Sequence, residues 1–449
     1  MRKRPLSPAQ LLSLHILGLL TVGGILLSLP AAAAPGHRIS ILNAFFTSTS
    51  AVCVTGLIVI DPPKDLSTFG QIVLMLLIQA GGLGYMTIST LIMAAFGRRA
   101  SMHERLTLAD ALNVQTLEGL LRFVGTVALL TFSFEGLGAL VMGVRFAQDV
   151  GWGQGMYLGL FHSVSAFNNA GFALFSDNLV GYRGDLTINL VITSLIICGG
   201  LGFLVLSEML HLRQRRGPGL TTHTKLVLAI TVSLIAGGTF GILVLEWSNP
   251  FTLGPLGFGQ KLLAAYFQAV TPRTAGFNTL SIGDMTTPAL FLMIVLMFIG
   301  ASPGGTGGGV KTTTFGIMVT AIWTTVRGYR DVTMFRRRLT ADTISRAFAV
   351  ALIAFLGVNV VSGLLLIAER QDLLRTLYET TSAFGTVGLS MGLPGSVLSL
   401  SGFFGPVGKL LIMAMMFMGR VGPLTLAVAL AGATAQPRVR FPEGKVLIG

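Results

Sequence analysis

The sequence predicts an all-α polytopic membrane protein, with eight spanning helices and four re-entrant helices arranged as four tandem pseudo-repeats around one central axis. Three observations lead to this fold class. Of the 449 residues, 52% are hydrophobic and 11% are charged, whereas soluble domains are roughly a quarter charged. Apolar runs of bilayer length alternate with basic clusters. Four similar glycine-containing segments recur at a nearly constant spacing, which is typical of repeated units.

Eight apolar stretches reach or approach the ~20 residues that a membrane-spanning helix needs. The first follows a basic N-terminus and precedes an alanine-rich segment, as in a secretory signal peptide. Its apolar core is longer than the usual ~7–15 residues of such a peptide, so we expect it to be retained as a span. The eight stretches lie at about 10–30, 70–96, 119–143, 186–210, 225–247, 286–326 (interrupted), 344–368 and 404–432.

A shorter apolar stretch lies between the two spans of each successive pair. Such stretches of ~10–14 residues are too short to cross a bilayer and are typical of re-entrant or buried segments. We therefore expect four short helices that enter the membrane and stop halfway. They lie at about 40–52, 155–167, 258–270 and 373–384.

Lysine and arginine residues are distributed unequally between the two predicted sides of the membrane. Twenty of the 31 lie on the side of the N-terminus, eight lie on the opposite side, and Arg273, Lys311 and Arg420 lie within the membrane. Cytoplasmic loops carry the excess of these residues, so we expect both termini in the cytoplasm. This distribution also accounts for the net charge of +13 and argues against nucleic-acid binding.

The end of each short apolar stretch carries one glycine-containing segment. The segments are TSAVCVTGL, VSAFNNAGF, TPRTAGFNT and TSAFGTVGL, with glycines at Gly56, Gly171, Gly276 and Gly388. Successive glycines are 115, 105 and 112 residues apart. This period predicts four repeats at 1–110, 111–220, 221–340 and 341–449, the last of which includes a short cytoplasmic tail.

Four such units around one axis favour a cation pathway. A short helix that stops halfway directs the partly negative end of its dipole at the bilayer centre. Glycine permits positive φ, which turns backbone carbonyls toward an axis, and rings of carbonyls replace the hydration shell of a cation. The alternative is that the glycines serve helix packing. Their recurrence after four short helices favours a pore loop in each repeat, together forming a selectivity filter.

The segments AVCVTGL, SAFNNAGF, TPRTAGFNT and SAFGTVGLS resemble the pore loops of the Trk/Ktr/HKT superfamily of potassium transporters. The similarity covers essentially the whole chain and is greatest to the membrane subunits of bacterial Ktr potassium uptake systems. The eight expected spans, without the two extra N-terminal spans usual in Trk-type subunits, favour that branch. A serine at the first glycine accompanies sodium preference in the superfamily, so Gly56 implies potassium.

The resemblance also implies which residues form the K⁺ selectivity filter, where K⁺ is the bound metal ion. Because the four segments differ in their side chains, we expect the filter to be less regular than that of a symmetric channel. The implied filter residues are Cys53, Val54, Thr55, Gly56, Asn168, Asn169, Ala170, Gly171, Arg273, Thr274, Ala275, Gly276, Gly385, Thr386, Val387 and Gly388.

The sixth span is interrupted by GASPGGTGGGVKTTTFG, residues 300–316. Its glycines and proline are incompatible with a straight helix, so we expect an intramembrane loop, which the resemblance identifies as the gate. A Walker A interpretation fails because Val310 precedes Lys311 where that motif has glycine. The predicted gate residues are Gly300, Ala301, Ser302, Pro303, Gly304, Gly305, Thr306, Gly307, Gly308, Gly309, Lys311 and Arg420.

Charged residues inside the apolar runs are functional candidates, since burying a charge in a membrane is costly. Lys311 would oppose cation flow at the gate. The resemblance places Arg420 near the pore, as a barrier or as a partner of gate-loop carbonyls. We expect Asp61, Asp177 and Glu379, which flank the glycine segments, to attract cations to the outer mouth.

The sequence thus predicts an ion-translocating subunit of a potassium uptake system in the bacterial inner membrane, and no enzyme. The resemblance implies a homodimer on a cytosolic ring of KtrA-like nucleotide-binding subunits, with no cofactor in this chain. Na⁺ as an activator or coupling ion is left open. The alternatives are a sodium or non-selective cation pathway on the same architecture, a secondary transporter of another solute, and a membrane-embedded assembly or enzyme subunit.

Overall fold

The structure is a computed structural model that describes residues 8–97, 117–210 and 219–431. Within these residues nearly all of the regular secondary structure is helical. In chain order the helices are α1 (Pro8–Ser28), α2 (Ile41–Val52), α3 (Pro62–Asp65), α4 (Thr68–Gly97), α5 (Leu117–Val150), α6 (Trp152–Phe167), α7 (Leu186–Leu201), α8 (Phe203–Leu210), α9 (Thr222–Glu246), α10 (Phe258–Val270), α11 (Thr287–Phe298), α12 (Thr312–Val326), α13 (Ala341–Glu369), α14 (Leu373–Gly385), α15 (Pro406–Val421) and α16 (Pro423–Ala431).

Short elements complete the described fold. A hairpin of two-residue strands, β1 (Thr333–Met334) and β2 (Arg337–Arg338), follows α12. Single 3₁₀ turns lie at Pro30–Ala32, Val180–Tyr182, Ile282–Asp284 and Leu400–Phe403. The boundary expected between residues 110 and 111 lies outside the described residues. So do many cations counted for the topology, namely Arg2, Lys3, Arg4, Arg98, Arg99, Arg105, Arg213, Arg215, Arg216, Arg438, Arg440 and Lys445.

Long apolar helices account for several of the predicted spans. Among the described residues, four helices are long and apolar enough to cross a membrane, and five if one bent pair counts as a span. They lie in α1, α5, α9 and α13. Their outer faces carry exposed apolar side chains such as Phe132, Phe240 and Ile367, which are 61%, 70% and 80% exposed. Such faces favour contact with lipid rather than water.

The four predicted short helices are present as α2, α6, α10 and α14. Each begins within three residues of its predicted start, and each ends within one residue of its predicted end. Local chemistry explains two of the starts: the Ser40 hydroxyl accepts a hydrogen bond from Asn43 N, and the Asp372 carboxylate accepts from Leu374 N and Arg375 N. Such caps satisfy amide groups that have no partner within the helix.

Three predicted spans are broken helices, and two of the breaks were not predicted. The expected span 186–210 bends by 102° at Gly202, between α7 and α8. The expected span 404–432 divides at Gly422, between α15 and α16. Both glycines adopt positive φ, at 95° and 94°, a conformation that an α-helix does not contain. The predicted interruption of the sixth span is confirmed, but Thr312–Gly316 belong to α12 rather than to the loop.

The short helices pack in a closed cycle. Each contacts the long helix that precedes it in sequence, and each also contacts a helix from the preceding repeat. These second contacts join α6 to α4, α10 to α7, α14 to α11, and α2 to α15. The last pair closes the cycle between the two ends of the chain. The packing therefore brings the four loops that follow the short helices to one place.

Candidate functional site: a ring of four glycine loops

The four glycine segments share one backbone conformation. Gly56, Gly171, Gly276 and Gly388 have φ of 94°, 70°, 75° and 90°. The residue two positions earlier in each segment also has positive φ, although none is a glycine. These residues are Val54 (56°), Asn169 (60°), Thr274 (74°) and Thr386 (50°). Non-glycine residues adopt such values at a cost that usually marks a functional constraint, so the shared conformation indicates a shared role.

The glycines also form a closed ring of close contacts. A Cβ atom on Gly56 would lie 2.5 Å from the carbonyl oxygen of Ala170, and one on Gly171 would lie 2.7 Å from that of Ala275. The cycle continues from Gly276 to the Val387 carbonyl, and from Gly388 to the Thr55 carbonyl. Each glycine therefore faces the carbonyl that precedes the glycine of the next loop. We call these four glycines and four carbonyls the glycine ring.

Hydroxyl groups of the short helices hold the ring in place. Gly56 N donates to Ser50 Oγ, and Gly388 N donates to Ser382 Oγ, both at 3.0 Å. In the other two loops, Ser165 Oγ donates to the Phe172 carbonyl at 2.8 Å, and Thr271 Oγ1 donates to the Phe277 carbonyl at 2.5 Å. Our sequence interpretation missed these groups. Their signal is a serine six residues before the glycine in three segments.

The first residues of the four predicted filter segments differ in where they lie and in what they contact. Asn168 is fully buried and directs its amide toward α4 and α5, where Nδ2 lies 3.0 Å from Gln79 Oε1 and 2.9 Å from Glu135 Oε1. Gly385 is the last residue of α14. Cys53 and Arg273 are 0% and 6% exposed. These four positions therefore differ chemically, and the Asn168 amide bonds its loop to the neighbouring helices.

A cavity of about 320 Å³ lies against one side of the ring. Its lining includes the four ring glycines and the exposed carboxylate residue Asp177. Asp177 Oδ2 accepts a hydrogen bond from Gly181 N at 3.1 Å. An ion that enters this cavity reaches the ring directly, so we call it the vestibule.

The other two predicted outer-mouth acids are placed differently. Asp61 is 6% exposed and accepts a hydrogen bond from Ser176 Oγ at 2.6 Å. Glu379 is 0% exposed, and its carboxylate accepts from Ser390 Oγ at 2.6 Å and Ser401 N at 2.8 Å. That Glu379 attracts cations to the outer mouth stays a prediction, but its carboxylate is buried. Its carboxylate is engaged within the protein, where it fastens the segment between α14 and α15 to the fourth short helix.

The α11–α12 loop, residues 299–311, contacts two of the residues that lie two positions before a ring glycine. Gly308 N donates to Thr386 Oγ1 at 3.0 Å. Gly307 lies so close to Thr274 Oγ1 that a Cβ atom at this position would overlap the hydroxyl. Thr274 and Thr386 are two of the four positive-φ residues of the ring loops. The loop therefore contacts the segments that carry the ring through Gly307 and Gly308, and at both positions a side chain would overlap a threonine.

The same loop is fastened to neighbouring broken helices. Ser302 N and Thr306 N donate to the carbonyls of Gly200 and Gly199 at the end of α7, at 3.0 and 3.1 Å. Phe203 N, the first amide after the Gly202 break, donates to the Gly304 carbonyl at 3.0 Å. The loop therefore supplies hydrogen-bond partners for backbone groups on both sides of the bend in the fourth predicted span.

Two cationic side chains bind carbonyls of this loop. Arg420, which is 3% exposed, donates to the carbonyl of Thr306. The same guanidinium donates to the Gly81 carbonyl of α4 at 2.5 Å and to that of Gly82 at 3.5 Å. Lys311 Nζ donates to the Gly307 carbonyl at 2.6 Å. Arg420 thus joins the α11–α12 loop to α4, whereas Lys311 binds within the loop.

A family model described as "TrkH: Cation transport protein" matches residues 23–439 of the chain. The chain belongs to this family. The family resemblance noted in the sequence is thereby confirmed, and the family is one of ion transporters rather than enzymes. Together with the long apolar helices, membership in this family makes the chain a multi-pass membrane protein.

Relatives in the TrkH family match the chain over nearly its full length. The Ktr system potassium uptake protein B of Bacillus subtilis (strain 168) is 42% identical over 447 residues, which cover 99% of this chain and 97% of the relative. The protein of the same name from Vibrio alginolyticus is 38% identical over 441 residues, covering 98% and 94%. The potassium/sodium uptake protein NtpJ of Enterococcus hirae is 35% identical over 454 residues, covering 100% and 98%.

A solved structure of the TrkH family has the same fold. The crystal structure of the potassium transporter TrkH from Vibrio parahaemolyticus aligns with a TM-score of 0.73 at 19% identity. The alignment covers 96% of this chain and 86% of that chain. At this identity the match establishes the fold alone.

Proposed function

We propose that this chain is the ion-translocating subunit of a potassium uptake system and that K⁺ crosses the membrane through the glycine ring. The observation that carries the proposal is the closed cycle in which each ring glycine faces the carbonyl of the next loop. Relatives at 42% and 38% identity bear the name of potassium uptake proteins. The conducted K⁺ is the transported substrate, and the chain itself needs no cofactor.

The ring supplies the chemistry that a dehydrated K⁺ requires. Carbonyl oxygens of Thr55, Ala170, Ala275 and Val387 stand in for water, and the filter includes the residues on either side of them. Because the ring residues with positive φ are glycines, which have no Cβ atom, no side chain enters the ring at these four positions. The four short helices end at the ring, so their partly negative C-terminal ends stabilise a cation there. No charged side chain needs to coordinate the ion.

The ring favours K⁺ over Na⁺ because all four positions are glycine. A serine at position 56 would meet the Ala170 carbonyl at 2.5 Å, which would force the ring to deform. Selectivity in the superfamily that the sequence resembles depends on this position. The name of the 35% identical relative includes sodium, so a sodium-conducting or less selective pathway is the second candidate.

We assign the gate to the α11–α12 loop, together with Lys311 and Arg420. The loop contacts Thr274 and Thr386, and the proposed topology puts it on the cytoplasmic side of the ring. A cation that leaves the ring would meet the charges of Lys311 and Arg420, which raise the barrier to conduction. Because six of the 13 loop residues are glycines, the loop has the backbone freedom to move aside.

The proposed architecture has four pseudo-repeats, residues 1–110, 111–220, 221–340 and 341–449, and both termini in the cytoplasm. The continuous helix α4 and the three broken helices supply the remaining membrane crossings that bring the total to eight. Names of the form "Ktr system" protein B imply systems with further components. We propose that the chain acts as a homodimer in the inner membrane with a cytosolic ring of KtrA-like nucleotide-binding subunits.

The experiment that tests the proposal is potassium and sodium uptake into liposomes containing this chain alone, for the wild type and Gly56→Ser. Gly36→Ser is the matched control. Gly36 has φ of 82°, close to the 94° of Gly56, but no atom lies within 4 Å of a Cβ at that position. Both variants therefore add the same side chain to a similarly strained backbone, and only one of them lies in the ring.

We expect selective K⁺ uptake by the wild type and by Gly36→Ser, and a loss of selectivity in Gly56→Ser. Equal K⁺ and Na⁺ uptake by the wild type, with and without the cytosolic subunits, would favour the second candidate. An unchanged selectivity in Gly56→Ser would show that the glycine serves packing and would refute the assignment of the filter.

A further inference from the structure

A buried carboxylate lies behind the second loop of the glycine ring. We propose that Glu135 is a positioning residue that holds this loop through Asn168 and thereby contributes to discrimination between K⁺ and Na⁺. The inference rests on the proposed function of the ring. It adds a specificity-determining residue that belongs neither to the four glycine segments nor to the α11–α12 loop.

The contact geometry links three helices at one amide group. Glu135 lies on α5 and is 4% exposed, and its Oε1 accepts from Asn168 Nδ2 at 2.9 Å. The same nitrogen lies 3.0 Å from Gln79 Oε1 on α4 and 2.9 Å from the Val164 carbonyl of α6. An amide with two hydrogens thus sits among three acceptors, which fixes its direction. The amide cannot turn toward the ring without losing these partners.

The helix α4 is shaped to admit this amide. A Cβ atom on Gly82 would overlap Asn168 Oδ1, so any larger residue would displace the amide. Asn168 is also the C-cap residue of α6, and its own N–H donates to the Val164 carbonyl at 3.1 Å. Only Asn169 separates it from Ala170, whose carbonyl faces Gly56 in the ring. A shift of Asn168 would therefore move a ring carbonyl.

Comparison of the first two repeats shows that packing alone does not require a carboxylate here. Ser48 Oγ donates to the Leu20 carbonyl at 2.8 Å, and Ser163 Oγ donates to the Glu135 carbonyl at 2.6 Å. Leu20 and Glu135 are 115 residues apart, which is also the spacing of Gly56 and Gly171. Glu135 therefore takes the place that a leucine fills in the first repeat.

A buried carboxylate costs free energy that a leucine does not. Glu135 lies behind the second loop, whose filter segment begins with an asparagine, Asn168. The corresponding residues of the other loops are Cys53, Arg273 and Gly385, and none of these side chains offers the same amide donor. The carboxylate and the asparagine therefore act as a pair specific to the second loop.

The test uses K⁺ and Na⁺ uptake into liposomes by Glu135→Leu and Glu135→Gln, compared at equal amounts of folded protein. Leucine reproduces the first repeat and removes the acceptor, whereas glutamine keeps an acceptor oxygen in the same place. Thr131→Val is the control, because Thr131 lies one turn away on the same helix and is fully buried. It removes a buried hydroxyl that has no hydrogen-bond partner among the described residues, so all the bonds of the Asn168 amide remain.

For Glu135→Leu we expect the K⁺/Na⁺ uptake ratio to fall about tenfold, which corresponds to one hydrogen bond to a charged group. Glu135→Gln should stay within roughly threefold of the wild type, and Thr131→Val should match it. A general loss of stability would instead lower uptake of both ions together. An unchanged ratio in Glu135→Leu would overturn the proposal.

Two further outcomes are decisive. An equal loss in Glu135→Gln and Glu135→Leu would mean that the charge acts on the ion itself, which would overturn the positioning role. Asn168→Leu combined with Glu135→Leu should change the ratio no more than either change alone, and additive losses would contradict the link between them. A wild type without selective K⁺ uptake would refute the proposed function itself, which is a separate result.

Discussion

The bond between Arg420 and the Thr306 carbonyl should hold the α11–α12 loop in its closed position. The guanidinium also binds the carbonyls of Gly81 and Gly82 on α4, and those bonds need not break when the loop moves. Among these three bonds, the one to Thr306 joins Arg420 to the loop and counts toward the closed state. A hydrogen bond to a charged group contributes about 1.5–3 kcal/mol, which is roughly a 10- to 100-fold change in an equilibrium constant.

Substitution of Arg420 by glutamine should therefore increase K⁺ flux. We expect initial uptake into liposomes to rise by about 10-fold or more. The loss of a positive charge beside the pathway acts in the same direction. Arg346→Gln is the control, because the Arg346 side chain is 71% exposed and forms an ion pair with Asp342 in the same helix.

The reasoning about Arg420 would be refuted by a specific result. If Arg420→Gln is folded, as judged by its melting temperature in detergent, and its K⁺ flux equals or falls below that of Arg346→Gln, the arginine does not hold a closed loop. A rise in both variants would show that the effect comes from net charge instead.

Three further predictions concern the loop, the vestibule and the bend. Lys311→Met removes the bond to the Gly307 carbonyl and should also raise K⁺ flux; an unchanged flux would remove Lys311 from the gate. Asp177→Asn should weaken the apparent K⁺ affinity by up to about fivefold at low salt, since a unit charge ~4 Å away contributes roughly 1 kcal/mol in water. The difference should vanish at ~1 M salt, and its persistence there would contradict an electrostatic role. Gly202→Ala places a Cβ 2.6 Å from the Pro303 carbonyl at a φ of 95° and should cost about 1–3 kcal/mol of stability. Gly18→Ala, with open space around it, should not lower the melting temperature, and equal melting of the two would argue against a strained bend.

The short helices and their glycine loops were predictable because their signals are local. Ser40 and Asp372 cap two of the helices, and each apolar stretch is too short to span a bilayer. The positions of Gly56 and Gly171 follow from the repeat itself. The order in which the loops contact one another required the packing of the helices, which no single segment encodes.

The bends at Gly202 and Gly422 were missed because a glycine within an apolar run has two common outcomes. It is tolerated in a helix at a cost of about 1 kcal/mol, and it also permits a break. At Gly202 the outcome depends on a distant partner, since the Phe203 amide bonds the carbonyl of Gly304 in the α11–α12 loop. Composition around the glycine does not reveal such a partner.

Side-chain directions were the least predictable part of the site. The positions of Asn168 and Glu379 in the sequence suggested contact with the ion path, yet both side chains are engaged within the protein. Glu135 had a signal that we did not use. It is an acidic residue inside an apolar run, and such a residue is a functional candidate by default.

The central claim is that K⁺ binds within the glycine ring. The most direct measurement is the anomalous difference density of Tl⁺, used in place of K⁺, in crystals of this protein, with Na⁺ crystals as the comparison. The account predicts a peak enclosed by the carbonyl oxygens of Thr55, Ala170, Ala275 and Val387. A peak only in the vestibule beside Asp177, or no peak near the ring, would contradict it.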